Sequence, residues 1–146
     1  MPERPTDLPL KTYTKLMRAA ETVTSRVHRP LALHNLTISQ FSVLEALYHK
    51  GSLCQRDIAA KILKSSGNIT MVIDNLEKRG LVRRERHSED RRYLTIHLTT
   101  EGTTLIAQAF TMIAATISSE MAALTPQEQT LLGTLCKKLG LKGGTN

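Results

Sequence analysis

Apolar residues recur along the chain with two different periods, and the places where the period changes divide it into elements. Tyr13, Leu16, Met17, Ala20, Val23 and Val27 follow i, i+3, i+4, i+7 spacing and predict an amphipathic helix over about 11–33, disturbed near its end by Pro30. Pro2, Pro5 and Pro9 ahead of it predict an extended arm. Thr37-Ile38-Ser39-Gln40 has the form of a capping box, and the helix behind it carries Phe41, Leu44, Leu47 and Tyr48 before Gly51 ends it. Ser52-Leu53-Cys54-Gln55 repeats the same form and predicts a short helix through Ile58, Ala59, Ile62 and Leu63. Ser65 and Ser66 offer an N-cap to the next helix, whose stripe is Ile69, Val72, Ile73 and Leu76 and whose stop is Gly80.

The period then shortens to two. Residues 81–86 and 93–98 predict two strands, with Leu94, Ile96 and Leu98 alternating against Tyr93, Thr95 and His97. His87-Ser88-Glu89-Asp90-Arg91-Arg92 forms the charged tip between them. Helical spacing returns in Ile106, Phe110, Ile113, Ile117 and Met121, over about 100–122, a helix of roughly 35 Å. Thr125-Pro126-Gln127-Glu128 caps a last helix, about 126–140, with Leu131, Leu132, Leu135 and Leu139. The fold class is mainly α (α+β): about six helices and one β-hairpin.

Composition narrows the function. The 146 residues hold 20 Lys+Arg against 13 Asp+Glu, a formal charge of +7 that points to an anionic partner. The excess is uneven. Residues 56–92 hold 10 of the basic residues and 6 acidic ones, whereas residues 93–146 hold 3 of each. Aromatics make up only 3%, which argues against recognition by stacked rings. No apolar run approaches the roughly 18 residues of a membrane span, so no membrane partner is expected. The first residues carry no apolar secretory core, and two cysteines make no disulfide framework; both suggest a cytoplasmic protein.

The short helix pair at 53–63 and 66–79, followed by a basic hairpin, has the spacing of a helix-turn-helix with a wing. On the second helix Ser65, Ser66, Gly67, Asn68, Thr70 and Met71 are small or polar groups able to approach base edges, and the helix N-terminus suits a phosphate. Asn68 is the candidate for a direct contact to adenine. On the hairpin Arg84, Arg86, Arg91 and Arg92 are candidate DNA contacts, with Asp90 supporting the tip. The blander reading is a helix hairpin in an ordinary α+β domain, with Ser65 and Ser66 only capping and the arginines only solvated.

The string Leu76-Glu77-Lys78-Arg79-Gly80-Leu81-Val82, the tip Asp90-Arg91-Arg92 and Leu98-Thr99-Thr100-Glu101-Gly102, in this order, resemble the MarR family of winged-helix transcription regulators. The resemblance runs from about Tyr13 to Leu139 and treats 1–146 as a single MarR-type domain. It implies an intertwined homodimer built from helices 11–33, 100–122 and 126–140, with a DNA-binding lobe at 37–99. It also implies that Ser65 to Met71 face the major groove of double-stranded DNA and that Arg92 enters the minor groove. Many members carry arginine where Met71 stands, and often where Ser66 stands, so no particular operator sequence transfers.

The family often binds small aromatic or phenolic effectors, for which Tyr13, Met17, Phe41, Tyr48 and His49 are the candidate lining. Cys54, near a helix start, is a conceivable redox handle, and Cys136 reads as packing. The five histidines show no metal-ligand spacing, and no nucleophile–base pair or phosphate-binding loop stands out, so neither a cofactor, a metal nor an enzyme activity is expected. The resulting expectation is a DNA-binding repressor. The alternative is a helical dimer that binds a small molecule or protein and whose hairpin is only surface.

Overall fold

The computed structural model describes residues 4–62, 66–87, 89–90 and 93–142, with only the backbone of Ser66 and Gly67. Its elements run α1 (Asp7–His28), α2 (Ile38–Lys50), β1 (Leu53–Cys54), α3 (Gln55–Ile62), α4 (Ser66–Lys78), β2 (Val82–Arg86), β3 (Leu94–Leu98), α5 (Thr100–Met121) and α6 (Pro126–Gly140). A 3-10 turn, Arg29–His34, joins α1 to α2. The helices and the hairpin fall where the apolar spacing predicts them, within a few residues.

Two of the three predicted capping boxes form. Thr37 Oγ1 accepts the Gln40 N–H at 3.1 Å while Gln40 Oε1 accepts the Thr37 N–H at 3.0 Å. Thr125 and Glu128 make the same exchange at 3.1 and 2.9 Å. The third does not form. Leu53 and Cys54 instead pair antiparallel with Ile96 and Thr95, and Ser52 Oγ lies 2.6 Å from His97 Nδ1. The hairpin is therefore part of a three-stranded sheet in the order β1-β3-β2. A two-residue strand is too short to show a period, so the sequence pattern hides it.

The expected extended arm is also shorter than read. Helix α1 starts at Asp7, whose carboxylate accepts the Arg4 N–H at 2.9 Å. Pro9 is tolerated because it sits in the first turn, where an N–H would find no helical partner.

The chain forms two compact units: residues 28–113, and the termini 1–27 with 114–146. In the first, Phe41, Leu44, Leu47, Ile58, Ile69, Ile73, Leu76, Val82 and Ile96 are all buried, packing α2, α3, α4 and the sheet into one aliphatic core. Asn35 takes a left-handed φ of 53°, which its short polar side chain tolerates. Arg79 Nη1 donates to the Asn35 carbonyl at 2.7 Å, pinning the end of α4 to the turn before α2. In the second unit Arg26 Nη1 meets Glu120 Oε2 at 3.2 Å, but apolar burial is sparse. Among the described residues, only Val27 of the seventeen buried hydrophobic ones belongs to it, whereas nine of the fourteen exposed large hydrophobics do.

Candidate nucleic-acid interface

Helix α4 presents three stripes. Ile69, Ile73 and Leu76 are buried against the core. Thr70, Asp74 and Glu77, at i, i+4, i+7, are the residues that meet the hairpin through Arg84. Asn68, Met71, Asn75 and Lys78, at i, i+3, i+7, i+10, are exposed, with Met71 at 63%. A helix with its core and flank satisfied and its third face bare and mostly polar has the form needed to enter a groove. Ser66 begins α4, and Ser65 lies outside the described residues.

Asn68 and Met71 stand on the bare stripe as expected. Thr70 is exposed but turned toward α3, where its Oγ1 accepts from Gln55 Nε2 at 3.1 Å. Sequence reasoning missed Asn75 and Lys78. The signal was available, because continuing the Asn68–Met71 spacing for another two turns reaches both.

The hairpin has the register Val82↔Leu98, Arg84↔Ile96 and Arg86↔Leu94. Strand alternation therefore sends Val82, Arg84 and Arg86 to one face and Arg83 and Glu85 to the other. Arg84 is only 19% exposed. Its Nη2 lies 2.5 Å from Asp74 Oδ1 and its Nη1 3.3 Å from Glu77 Oε1. Arg86 is exposed at the far end of β2. At the tip the Asp90 carbonyl accepts the Tyr93 N–H at 3.1 Å, while Arg91 and Arg92 lie outside the described residues.

On the other face Arg83 Nη1 is 3.4 Å from Glu85 Oε2 and His97 Nε2 is 2.9 Å from it. Hydrogen bonds from Arg83 and then His97 hold the Glu85 carboxyl below its ordinary value of 4.5. Arg56 of α3 stacks over the Tyr93 ring at 5.7 Å, giving a second link between the helix pair and the sheet. Between these links lies a depression of about 300 Å³ bordered by Cys54, Gln55, Ile69 and Leu94.

The candidate effector residues divide between the two units. Tyr13 and Met17 are exposed on α1. Phe41 is buried in the core of the other unit, and Tyr48 is 41% exposed there. The His49 ring meets Tyr48 at 5.2 Å and Phe110 at 4.7 Å, both edge-on. Phe110, which the periodicity assigned only to the stripe of α5, thus joins this aromatic group. Among the described residues no three His, Cys, Asp or Glu side chains could hold a metal, and no single helix is long and apolar enough to cross a membrane.

Comparison with known proteins agrees with this geometry. A family model described as "MarR family" matches residues 36–94, which span α2 to the start of β3. The HTH-type transcriptional regulator MhqR of Bacillus subtilis is 34% identical over 93% of this chain and 94% of its own. Among solved structures, a mutant MarR from E. coli complexed with operator DNA superposes with a TM-score of 0.79 at 20% identity, covering 94% of this chain and 99% of that one. NadR in complex with 4-hydroxyphenylacetate superposes with a TM-score of 0.70 at 26% identity, covering 86% and 89%. With a winged helix-turn-helix fold and a transcriptional regulator matching it almost end to end, the chain belongs to the MarR family of transcriptional regulators.

Proposed function

We propose that the protein is a homodimeric repressor that binds a near-palindromic operator in double-stranded DNA and releases it in response to a small aromatic or phenolic effector. The observation that carries the DNA reading is the bare stripe of α4 beside a hairpin whose sequence holds five arginines. In this reading Ser65, Ser66, Gly67, Asn68, Thr70 and Met71 meet the major groove, joined by Asn75 and Lys78. Arg86 and Arg91 contact phosphate, Arg92 enters the minor groove, and Asp90 supports the tip. Such a partner places the protein's work in the cytoplasm, with no catalytic step.

The dimer is supported by the apolar residues left uncovered. Tyr13, Met17, Leu131, Leu132, Leu135 and Leu139 lie on α1 and α6 with 40–62% of their surface exposed. At about 1.5–3 kcal/mol for each large apolar side chain buried, covering these residues with a second copy stabilises both copies substantially. A two-fold dimer also presents two α4 helices to successive major grooves, about one helical turn apart. The effector reading is supported by the His49, Tyr48 and Phe110 group and by the phenolic ligand of the NadR structure.

A gel shift with the duplex upstream of the protein's own coding region tests the reading. The expected result is a dimer complex that weakens steeply with salt. Absence of any complex at low salt would favour a helical dimer that binds a small molecule or protein through other surfaces.

A further inference from the structure

Arg84 stands where a basic wing residue would be expected to reach for phosphate, yet its side chain points the other way. The guanidinium fork is held between two residues of α4, with Nη2 at 2.5 Å from Asp74 Oδ1 and Nη1 at 3.3 Å from Glu77 Oε1. Nη2 also donates to the Thr70 carbonyl at 3.3 Å. The Arg84 backbone N–H donates to Glu77 Oε2 at 3.1 Å, so strand and side chain grip the same carboxylate. One positive charge faces two negative ones, leaving this contact with a net negative charge that repels phosphate. The Thr70 turn is in turn tied to α3 by Gln55 Nε2 on Thr70 Oγ1 at 3.1 Å.

From this arrangement we infer that Arg84 is a positioning residue: it sets the angle between the wing and the recognition helix and does not itself touch DNA. The inference rests on the DNA-binding reading for its consequence, but not for its geometry. The planar fork matters because it addresses two carboxylates and a carbonyl at once, which a lysine ammonium cannot do with the same orientation. Two readers that must enter a major and a minor groove together lose affinity when the angle between them is free, because binding must then order it.

The test uses the full-length protein, a duplex selected by the wild type from a randomised library, and the variants Arg84→Lys and Arg84→Gln. A phosphate contact predicts that lysine preserves binding and that glutamine makes the slope of log affinity against log salt shallower by about two, one for each copy in the dimer. A positioning role predicts that both variants lose affinity by about tenfold while the salt slope stays unchanged. The charge-swapped pair Arg84→Asp with Asp74→Arg should regain part of the loss. Hydrogen exchange in the DNA-free protein supplies a readout independent of any operator. The amides of β2 and β3 should exchange faster in both variants, while those of α2 stay protected. Binding preserved by lysine with a shallower slope for glutamine, or wing exchange unchanged in both variants, overturns the inference. If the wild type selects no duplex, the DNA reading fails and the exchange result still decides whether Arg84 holds the wing to α4.

Discussion

Replacing Gly102 by alanine tests the junction from which the wing departs. Gly102 lies in the first turn of α5, and a Cβ built on it would sit 1.9 Å from the Leu81 carbonyl oxygen. Real Cβ atoms keep at least 3.0 Å from such a neighbour, so one backbone must move by about 1.1 Å. Neither is free to do so. The Leu81 carbonyl accepts the Thr99 N–H at 3.1 Å, and Thr99 Oγ1 donates to the Gly80 carbonyl at 2.6 Å. The same hydroxyl oxygen accepts the Gly102 N–H at 3.0 Å, capping α5. The shift therefore strains the end of α4, the start of β2 and the cap of α5 together.

Overpacking of this kind costs about 1–3 kcal/mol, and a lost hydrogen bond adds about 1 kcal/mol. Against this, alanine gains up to about 1 kcal/mol over glycine from helix propensity. The clash wins, with a net destabilisation of about 1–3 kcal/mol, or about 3–10 °C in Tm for a chain of this size. Thermal and urea unfolding followed by circular dichroism, at one fixed protein concentration because any self-association would add to stability, measures it. A Tm equal to or above the wild type would refute the argument, since it would mean that the contact relaxes for less than the propensity gain.

Other substitutions address other parts of the molecule. Arg92→Ala should weaken operator binding by about 1–3 kcal/mol without changing the sedimentation of the dimer, and fluorescence anisotropy with an unaltered result would remove Arg92 from the minor groove. Leu132→Glu with Leu135→Glu places four charges in a two-fold interface, so sedimentation should show monomer at concentrations where the wild type is dimeric; an unchanged dimer would place the contact elsewhere. Glu85 has a folded pKa depressed below its unfolded value, so its ion pair stabilises the wing fully above pH 4.5 and loses that contribution as pH falls through the lower folded value. Glu85→Gln should therefore flatten the acid side of the Tm-against-pH curve, and a curve parallel to wild type would show that the pair contributes nothing.

What could be read from the sequence depended on how many residues repeat each signal. Helix α6 spans Pro126–Gly140 as its capping box and leucine spacing require, because four turns restate the same face. Strand β1 left no mark, since two residues carry no alternation and Ser52 to Gln55 equally satisfy a capping pattern. For the site, composition identified a basic hairpin but not the direction of each arginine. Arg83 and Arg84 look alike in sequence; only the register with β3 shows that one faces Glu85 and the other Asp74 and Glu77. Likewise the resemblance marked Leu98-Thr99-Thr100-Glu101-Gly102 as characteristic, and the close approach of Gly102 to Leu81 supplies the reason.

The division of apolar surface between the two units also bears on how DNA binding depends on assembly. Among the described residues, 28–113 carry sixteen of the seventeen buried hydrophobic positions and have a core of their own. Among the described residues of the terminal unit Val27 alone is a buried hydrophobic one, so its helices gain little from packing within one chain. If a second copy supplies the missing cover, ordering of α1 and α6 is linked to dimerisation, and the separation of the two reading helices is fixed only once that cover is in place. Helix α5, Thr100–Met121, begins at the capped junction at Thr99 and carries residues of both units. A ligand bound more tightly by one spacing of the helices than by another would then change DNA affinity without touching α4.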